Sequence, residues 1–333
     1  MFLIRSLDKI STFYIQDSFI VFDQDGNLKR YQQNLKSSWV VDPSTQHLCL
    51  TNDKWVFPYT QYKKINIENG EIVNQIQGDI YPITLQQNDL FCEYFIENTL
   101  YLSRIIVENF KVIKITDISN QRVLHIFDLK KFITYHKATF YIYDLDVSEK
   151  PNLLNIDYFS ASLNAKVGSN PIIIDHRLFF YVYDPKKKDQ KSTICIDYKS
   201  KTVDRILFNF TGSIKESDGL LYNSHEKSLQ ILDPETFKVE EIDLLPELTK
   251  HGFKRIDYEK WFVEDRHLYF AQNIGDNIAK VGIYDLESKT IIDKLDLAKE
   301  NGTVGTLKKN GNRLYIHTQD RTLHIYELEG LES

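Results

Sequence analysis

The chain is poor in the residues that punctuate or crosslink a fold: 333 residues carry 13 Gly, 8 Pro and 3 Cys. The cysteines, Cys49, Cys92 and Cys195, are odd in number, far apart and without a C-x-x-C pair, which excludes a disulfide framework or a zinc ribbon. Each sits in an apolar run, so each is expected to act as a small buried hydrophobe. No stretch approaches about 18 consecutive apolar residues, so no transmembrane helix and no membrane partner are expected. The start, Met1-Phe2-Leu3-Ile4-Arg5, places a charge after three apolar residues and lacks a signal-peptide core. A reducing, cytoplasmic location is therefore expected, and Asn209-Phe210-Thr211 and Asn301-Gly302-Thr303 are chance matches to the glycosylation pattern.

Positive charge is also in short supply. The formal net charge is -6 with a pI of about 5.9. Lys186-Lys187-Lys188 with Lys191 forms the one basic cluster, and Asp184 and Asp189 dilute it. That reads as a solvated loop and not a phosphate site, so nucleic acid is excluded as a partner. The familiar catalytic strings are missing too: no Walker A loop, no G-x-G-x-x-G after a strand, no H-E-x-x-H, no G-x-S-x-G. Asp23-Gln24-Asp25-Gly26-Asn27 opens like a calcium loop but lacks the downstream acid, and reads as a hairpin turn. Nine histidines form no H-x-H or H-x-x-x-H pair. No cofactor and no metal are expected.

Aromatic residues are abundant, with 20 Tyr and 20 Phe, and they repeat. Phe140-Tyr141-Ile142-Tyr143-Asp144 returns as Phe180-Tyr181-Val182-Tyr183-Asp184, and Ile156-Asp157-Tyr158 as Ile196-Asp197-Tyr198, each 40 positions on. His136 and His176 keep the same spacing. A period near 40 built from short strands points to propeller blades, and the Tyr, Phe, Ile and Val content favours strands. The chain parses into units over 11–41, 47–77, 91–127, 132–167, 172–207, 213–244, 255–297 and a last one over 304–326 with three strands. Phe2-Leu3-Ile4-Arg5 is left to complete that last unit. The expected fold is all-β: a single closed β-propeller spanning 1–333, with eight blades of four antiparallel strands and the N-terminal strand closing the last. Seven is the alternative parse, because the third unit and the segment 79–88 are irregular.

Local chemistry supports the strands. Asp197-Tyr198-Lys199-Ser200, Asp233-Pro234-Glu235-Thr236 and Asp285-Leu286-Glu287-Ser288 each place an Asp three residues before a hydroxyl. The carboxylate can accept backbone N–H groups and close an Asx-turn, so these aspartates are structural. Strands such as Phe19-Ile20-Val21-Phe22 and Leu314-Tyr315-Ile316-His317 are expected to alternate as half-buried strands. Pro246 and Gly252 bracket one helical turn, and Asp296 with Asn301-Gly302 would cap and stop another. His317 and His324 are expected to face each other across the final hairpin.

The Asp-x-x-Ser/Thr hairpins resemble the repeats of quinoprotein-like and WD40-like propellers, in which Gly commonly follows Asp-x-x-Thr. Here Lys201, Phe237 and Lys289 stand in that place, and the tryptophan docking pattern, the Gly-His and the Trp-Asp dipeptides are missing. The resemblance implies a fold, and no cofactor or catalytic residue carries over from it.

Binding is expected on long loops over a rigid scaffold. The loops 144–151, 184–191 and 272–276 would share one face, with Asp144, Asp146, Glu149, Lys186, Lys187, Lys188, Asn273 and Asp276 as candidate binding residues. Tyr143, Tyr183, Tyr284 and Tyr326 recur with the repeat and read as inter-blade packing, as do Trp39, Trp55 and Trp261. The functional expectation is a non-enzymatic protein-binding module or inhibitor with a basic partner, such as an immunity protein neutralising a basic toxin. The alternatives are a hydrolase or lyase with its site at the channel mouth, and a structural scaffold subunit.

Overall fold

The computed structural model describes residues 1–333 apart from 17–18, 26, 33–36, 42–48, 52–54, 59–62, 67, 77–78, 87–88, 137–138, 156–165, 169–170, 274–278 and 329–333. The described strands form consecutive antiparallel sheets over residues 10–41, 49–75, 79–117, 122–155, 166–207, 214–243, 261–296 and 304–327, each joined in chain order. Phe2–Leu7 lies beside Leu323–Glu327 and supplies the fourth strand of the last sheet. No described helix is long and apolar enough to cross a membrane.

The expectation of eight four-stranded blades is corrected: seven sheets have four strands, and the sheet over 166–207 has five. There Lys166–Val167 and Ile172–Ile174 both pair with Arg177–Asp184. The register moves by two residues between Val167↔Val182 and Ile172↔Phe179, around Pro171, which has no N–H to give to the ladder.

The 40-residue repeat is also out of phase with the sheets. Thr139–Asp144 is the third strand of its sheet, whereas Arg177–Asp184 is the strand next to the split first strand of its own. Phe140 and Phe180 pack on one another, with ring centroids 5.0 Å apart. The third unit is shifted as well. Asp79–Gln86, which had no regular place in the sequence, is the first strand of the 79–117 sheet, and Arg122–Ile126 opens the next.

The chain divides into two compact units, one of residues 6–129 with 321–323, the other of 1–5, 130–320 and 324–333. Within the smaller unit, Ile10–Gln16 neighbours Cys49–Thr51, which neighbours Asp79–Gln86. Within the larger, Ile172–Ile174 neighbours Ile214–Ser217, which neighbours Trp261–Glu264. Sheets therefore succeed one another with their first strands side by side, and each interior sheet is covered on both faces.

The expected alternation is overturned. Phe19, Ile20, Val21, Phe22 and Asp23 are all buried, as are Leu314, Tyr315 and Ile316. Strands buried on both faces read as continuous apolar runs. The cores lie between consecutive sheets: Phe179, Cys195, Phe210, Leu221 and Leu232 form one, and Tyr222, Leu248, Phe253, Trp261 and Phe270 another. Cys92 and Cys195 are buried free thiols, each pushed up to about 12 chiefly by burial. The side chain of Cys49 lies outside the described residues.

The hairpin aspartates act as expected. Asp197 Oδ1 accepts the N–H groups of Lys199 (2.8 Å) and Ser200 (3.0 Å), Asp233 Oδ1 those of Glu235 (2.8 Å) and Thr236 (3.2 Å), and Asp285 those of Glu287 (3.0 Å) and Ser288 (3.2 Å). The next residue is left-handed each time: Lys201 at φ 61°, Phe237 at 58° and Lys289 at 57°. That conformation costs a side-chain-bearing residue roughly 1–2 kcal/mol, and glycine's added unfolded-state entropy returns about half of it. Lys201→Gly and Lys289→Gly should therefore each stabilise by about 0.5 kcal/mol in urea unfolding. Phe237→Gly should destabilise by about 1–2 kcal/mol, because its ring does packing work that relieving strain does not replace. It lies 6.3 Å from the Phe179 ring and carries the Arg177 and Arg205 guanidinium groups at 5.2 and 5.1 Å.

The helix Leu245–Lys250 has Pro246 in its first turn and Gly252, at φ 77°, beyond its end. The short 3-10 turn Lys299–Asn301 ends at Gly302, but Asp296 does not cap it. That carboxylate pairs with Lys280 at 3.0 Å instead.

In the smaller unit, burial pushes His125 down to about 4, with its ring edge-on to Phe127 at 4.8 Å. Its folded value lies below the ordinary 6.5. The unfolded chain therefore takes up the proton first, and the stability present above about pH 6.5 is lost as pH falls through about 4. His125→Phe should flatten that limb by about 2–3 kcal/mol in urea titrations at pH 7 and pH 4.

Candidate functional site

The larger unit contains a cavity of about 1150 Å³ built by three consecutive sheets. Its first wall comes from Tyr181 and Tyr183, two apart on Arg177–Asp184 and so on one face of the strand. Their rings stack with centroids 5.6 Å apart and an interplanar angle of 11°. Gly168 makes this possible: a Cβ there would lie 2.6 Å from Tyr181 Cδ1 and 3.0 Å from Tyr183 Cδ1. Pro171, Ile172 and Ile173 add an apolar flank.

The second wall is the approach to Ile214–Ser217, from Gly212 to Glu216. Gly212 sits at φ 130°, where a Cβ would meet Asn223 Oδ1 at 3.0 Å. The buried Asn223 amide in turn donates to the Thr211 carbonyl, so the wall is fixed from behind.

The third wall is Tyr258, Glu259 and Lys260, just before Trp261–Glu264. Asp257 Oδ1 accepts the N–H groups of Glu259 (3.0 Å) and Lys260 (3.3 Å), and Asp257 Oδ2 accepts from Asn273 Nδ2 at 2.9 Å. The buried Trp261 donates its indole N–H to the Tyr258 carbonyl at 2.9 Å. Anchored on both sides, this loop presents Tyr258 with 63% of its surface exposed.

The charges of the cavity are matched from within. Lys215 Nζ donates to the carbonyls of Glu259 (3.2 Å) and Trp261 and lies 5.1 Å over the indole ring. Burial, aided by the Lys260 charge, pulls it down to about 8. Lys260 pairs with Glu259 at 3.6 Å. The Glu259 carboxylate raises the Tyr258 phenol, with Asp257 adding to the effect, so this tyrosine sits in a negative field. Among the described residues no three His, Cys, Asp or Glu side chains gather as metal ligands would.

Among the described residues, none of the loop positions singled out in the sequence lines this cavity. Asp144 closes the hairpin between the third and fourth strands of its sheet, Asp146 pairs with Lys130, and Glu149 is exposed on Ser148–Asn155. Lys130 also holds the Asp146 carboxyl below its ordinary value. Lys186 donates its N–H to the buried Asp184 carboxylate at 2.8 Å, and Lys186 and Lys187 are exposed. Lys188 continues the strand Lys187–Asp197.

This second loop joins Arg177–Asp184 to Lys187–Asp197, a second-to-third connection along the sheet. In antiparallel sheets such a connection falls at the opposite end from a third-to-fourth one. The expected shared face of the acidic and the lysine loop is thereby corrected. Asn273 is structural: its amide donates to Asp257 and to the Val304 carbonyl (2.9 Å) and accepts the Val304 N–H (2.8 Å). Asp276 lies outside the described residues, as do the side chains of Trp39 and Trp55. His176 approaches Asp197 at 3.6 Å, and His324 reaches Thr318 at 3.3 Å within the final hairpin.

The repeated tyrosines part ways. Tyr143 is buried and stacked at 4.4 Å on Phe132, its cross-strand partner in the same sheet, and Tyr284 and Tyr326 are buried in clusters between sheets. Tyr183 instead lines the cavity. Their local strings are nearly identical, and the glycine opposite Tyr181 and Tyr183 was the one sequence signal that could have separated them.

No family model matches the chain, and no curated protein sequence matches it. Solved structures do. The chain is similar to BamB from Moraxella catarrhalis at a TM-score of 0.63 and 10% identity, covering 98% of this chain and 99% of that one. Sqt1 of Saccharomyces cerevisiae gives 0.65 at 8% identity, covering 97% of each. The Cps50 (Swd1) β-propeller domain of Myceliophteria thermophila gives 0.55 at 7%, covering 97% and 100%. At such identities the likeness speaks for the fold alone, and the fold is a divergent β-propeller.

Proposed function

We propose that this β-propeller is a non-enzymatic binding protein that receives a projecting segment of another protein in the tyrosine-walled cavity of its larger unit. One observation carries the reading: the stacked Tyr181–Tyr183 pair and the exposed Tyr258 ring line a cavity whose lysines are already engaged by the walls. Rings held by packing offer large, amphipathic contact area at little entropic cost, which is why tyrosine dominates binding surfaces. The lysine amine is spent on two carbonyls and an indole face, and Asp257 on backbone and amide donors, so these polar groups build the wall. The finer reading, an inhibitor or immunity protein for a basic toxin, draws on the net charge of -6.

The test is photo-crosslinking in the cells that make the protein. A benzophenone side chain replacing Tyr258 should yield one discrete protein adduct, and the same group at the exposed Val147 should not. Absence of a stoichiometric adduct at Tyr258, or the same adducts at both positions, would count against the role. A basic adduct whose toxicity the intact chain suppresses would support the inhibitor form.

A further inference from the structure

We infer that the cavity recognises an arginine side chain of its partner, with the guanidinium stacked against the Tyr183 and Tyr258 rings and paired with the carboxylates of Glu259 and Glu216. The inference rests on the binding role proposed above and names the chemistry of the segment that enters.

Three features of the walls point this way. The aromatic surface is the first. Tyr181 and Tyr183 stand as a parallel stack, and Tyr258, 63% exposed, lines the same cavity from the loop before Trp261–Glu264. A planar cation over tyrosine faces gains from the ring quadrupole, and guanidinium adds face-to-face stacking that a compact ammonium lacks.

The second is the placement of charge. Glu216 uses one oxygen to accept the Gly219 N–H at 2.9 Å, and Glu259 projects from a loop whose backbone Asp257 holds in place. A guanidinium presents its donors as a fork that can meet one such carboxylate while its plane lies on a ring.

The third is the disposal of the resident cations. Lys215 and Lys260 also line the cavity and would repel a basic guest if they were free. Lys215 points into the Glu259 and Trp261 carbonyls and the indole face, and Lys260 is held against Glu259. The field at the Tyr258 phenol is correspondingly negative, set by Glu259 and Asp257. An anionic guest would meet that field, and an aliphatic one would gain nothing from it.

The experiment uses the full chain and three fluorescein-labelled pentapeptides, Gly-Arg-Gly-Arg-Gly and its lysine and glutamate counterparts, read by fluorescence anisotropy. The arginine peptide should bind about 10-fold more tightly than the lysine peptide of equal charge, and the glutamate peptide should not bind. Tyr183→Ala and Tyr258→Ala should each weaken the arginine peptide by about 10-fold, Tyr258→Phe should retain it, and Glu259→Gln should weaken it several-fold. Tyr258 is exposed, so its variants keep the fold, which a melting curve verifies. Equal affinity for arginine and lysine peptides, indifference to Tyr258→Ala, or preference for the glutamate peptide would each overturn the inference.

The outcome is separable from that of the crosslinking test. A discrete adduct at Tyr258 without arginine preference leaves the binding role standing and removes arginine as the recognised group. Arginine preference without an adduct does the reverse.

Discussion

Trp261→Ala is expected to lower the unfolding free energy by about 3–5 kcal/mol, the range for truncating a fully buried aromatic residue. Trp261 is 1% exposed and packs with Leu248, Phe253, Ile256, Phe270 and Tyr284 between two consecutive sheets. Most of these neighbours belong to strands and a helix fixed elsewhere, and Phe253 and Ile256 are buried on the segment that follows the helix, so they cannot close over the space the indole leaves. The substitution also removes the N–H that holds the Tyr258 carbonyl and the ring beneath Lys215. Stability and the shape of the cavity should therefore fail together. Trp261→Phe keeps the apolar volume in part and loses the hydrogen bond, so it should fall between wild type and alanine. Urea unfolding monitored by far-UV circular dichroism measures both, and a loss below 1 kcal/mol for alanine would contradict the packing described.

Deleting residues 1–8 is expected to cost on the order of 5 kcal/mol, from a ladder of backbone hydrogen bonds together with the burial of Leu7. Phe2–Leu7 is the outer strand beside Leu323–Glu327, and the Met1 ammonium reaches Asp293 while its side chain packs against the core cluster that contains Tyr269 and Leu314. Without it, Leu323–Glu327 becomes a bare edge, which invites association with other chains. The truncated protein should melt at much lower temperature and elute partly as aggregate. A synthetic peptide of residues 1–8 added in trans should restore part of the loss. An unchanged melting curve would show that the strand contributes little.

The sequence was most informative where chemistry is local. Asp197, Asp233 and Asp285 could be read as turn-closing residues because an Asx-turn needs only a carboxylate and the next few N–H groups. Pro246 and Gly252 marked a helix for the same reason. The burial of Cys92 and Cys195 followed from the apolar runs that carry them. Local reasoning failed at Asp296, where a lysine one strand away competes for the carboxylate. It failed at Phe19–Gln24 too, because alternation assumes one wet face and Phe19 through Asp23 are all buried.

The site was the least legible part. Tyr143 and Tyr183 share a string and a spacing, yet one is packed on Phe132 and the other faces a cavity. The repeat gave equal weight to both because it tracks strand sequence and is blind to which strand pairs with which.

By itself, the chain of residues determined a β architecture of short strands, the hairpins that join them and the net negative charge, because these depend on composition and on neighbours along the chain. Tertiary structure decided how many strands each sheet holds, which copy of the repeat faces solvent, and that Gly168, Tyr181, Lys215, Tyr258 and Glu259 share one cavity. Those residues come from three sheets and the segments leading into them, up to 91 positions apart along the chain, counted from 168 to 259. Only packing between consecutive sheets brings them within reach of a single guest.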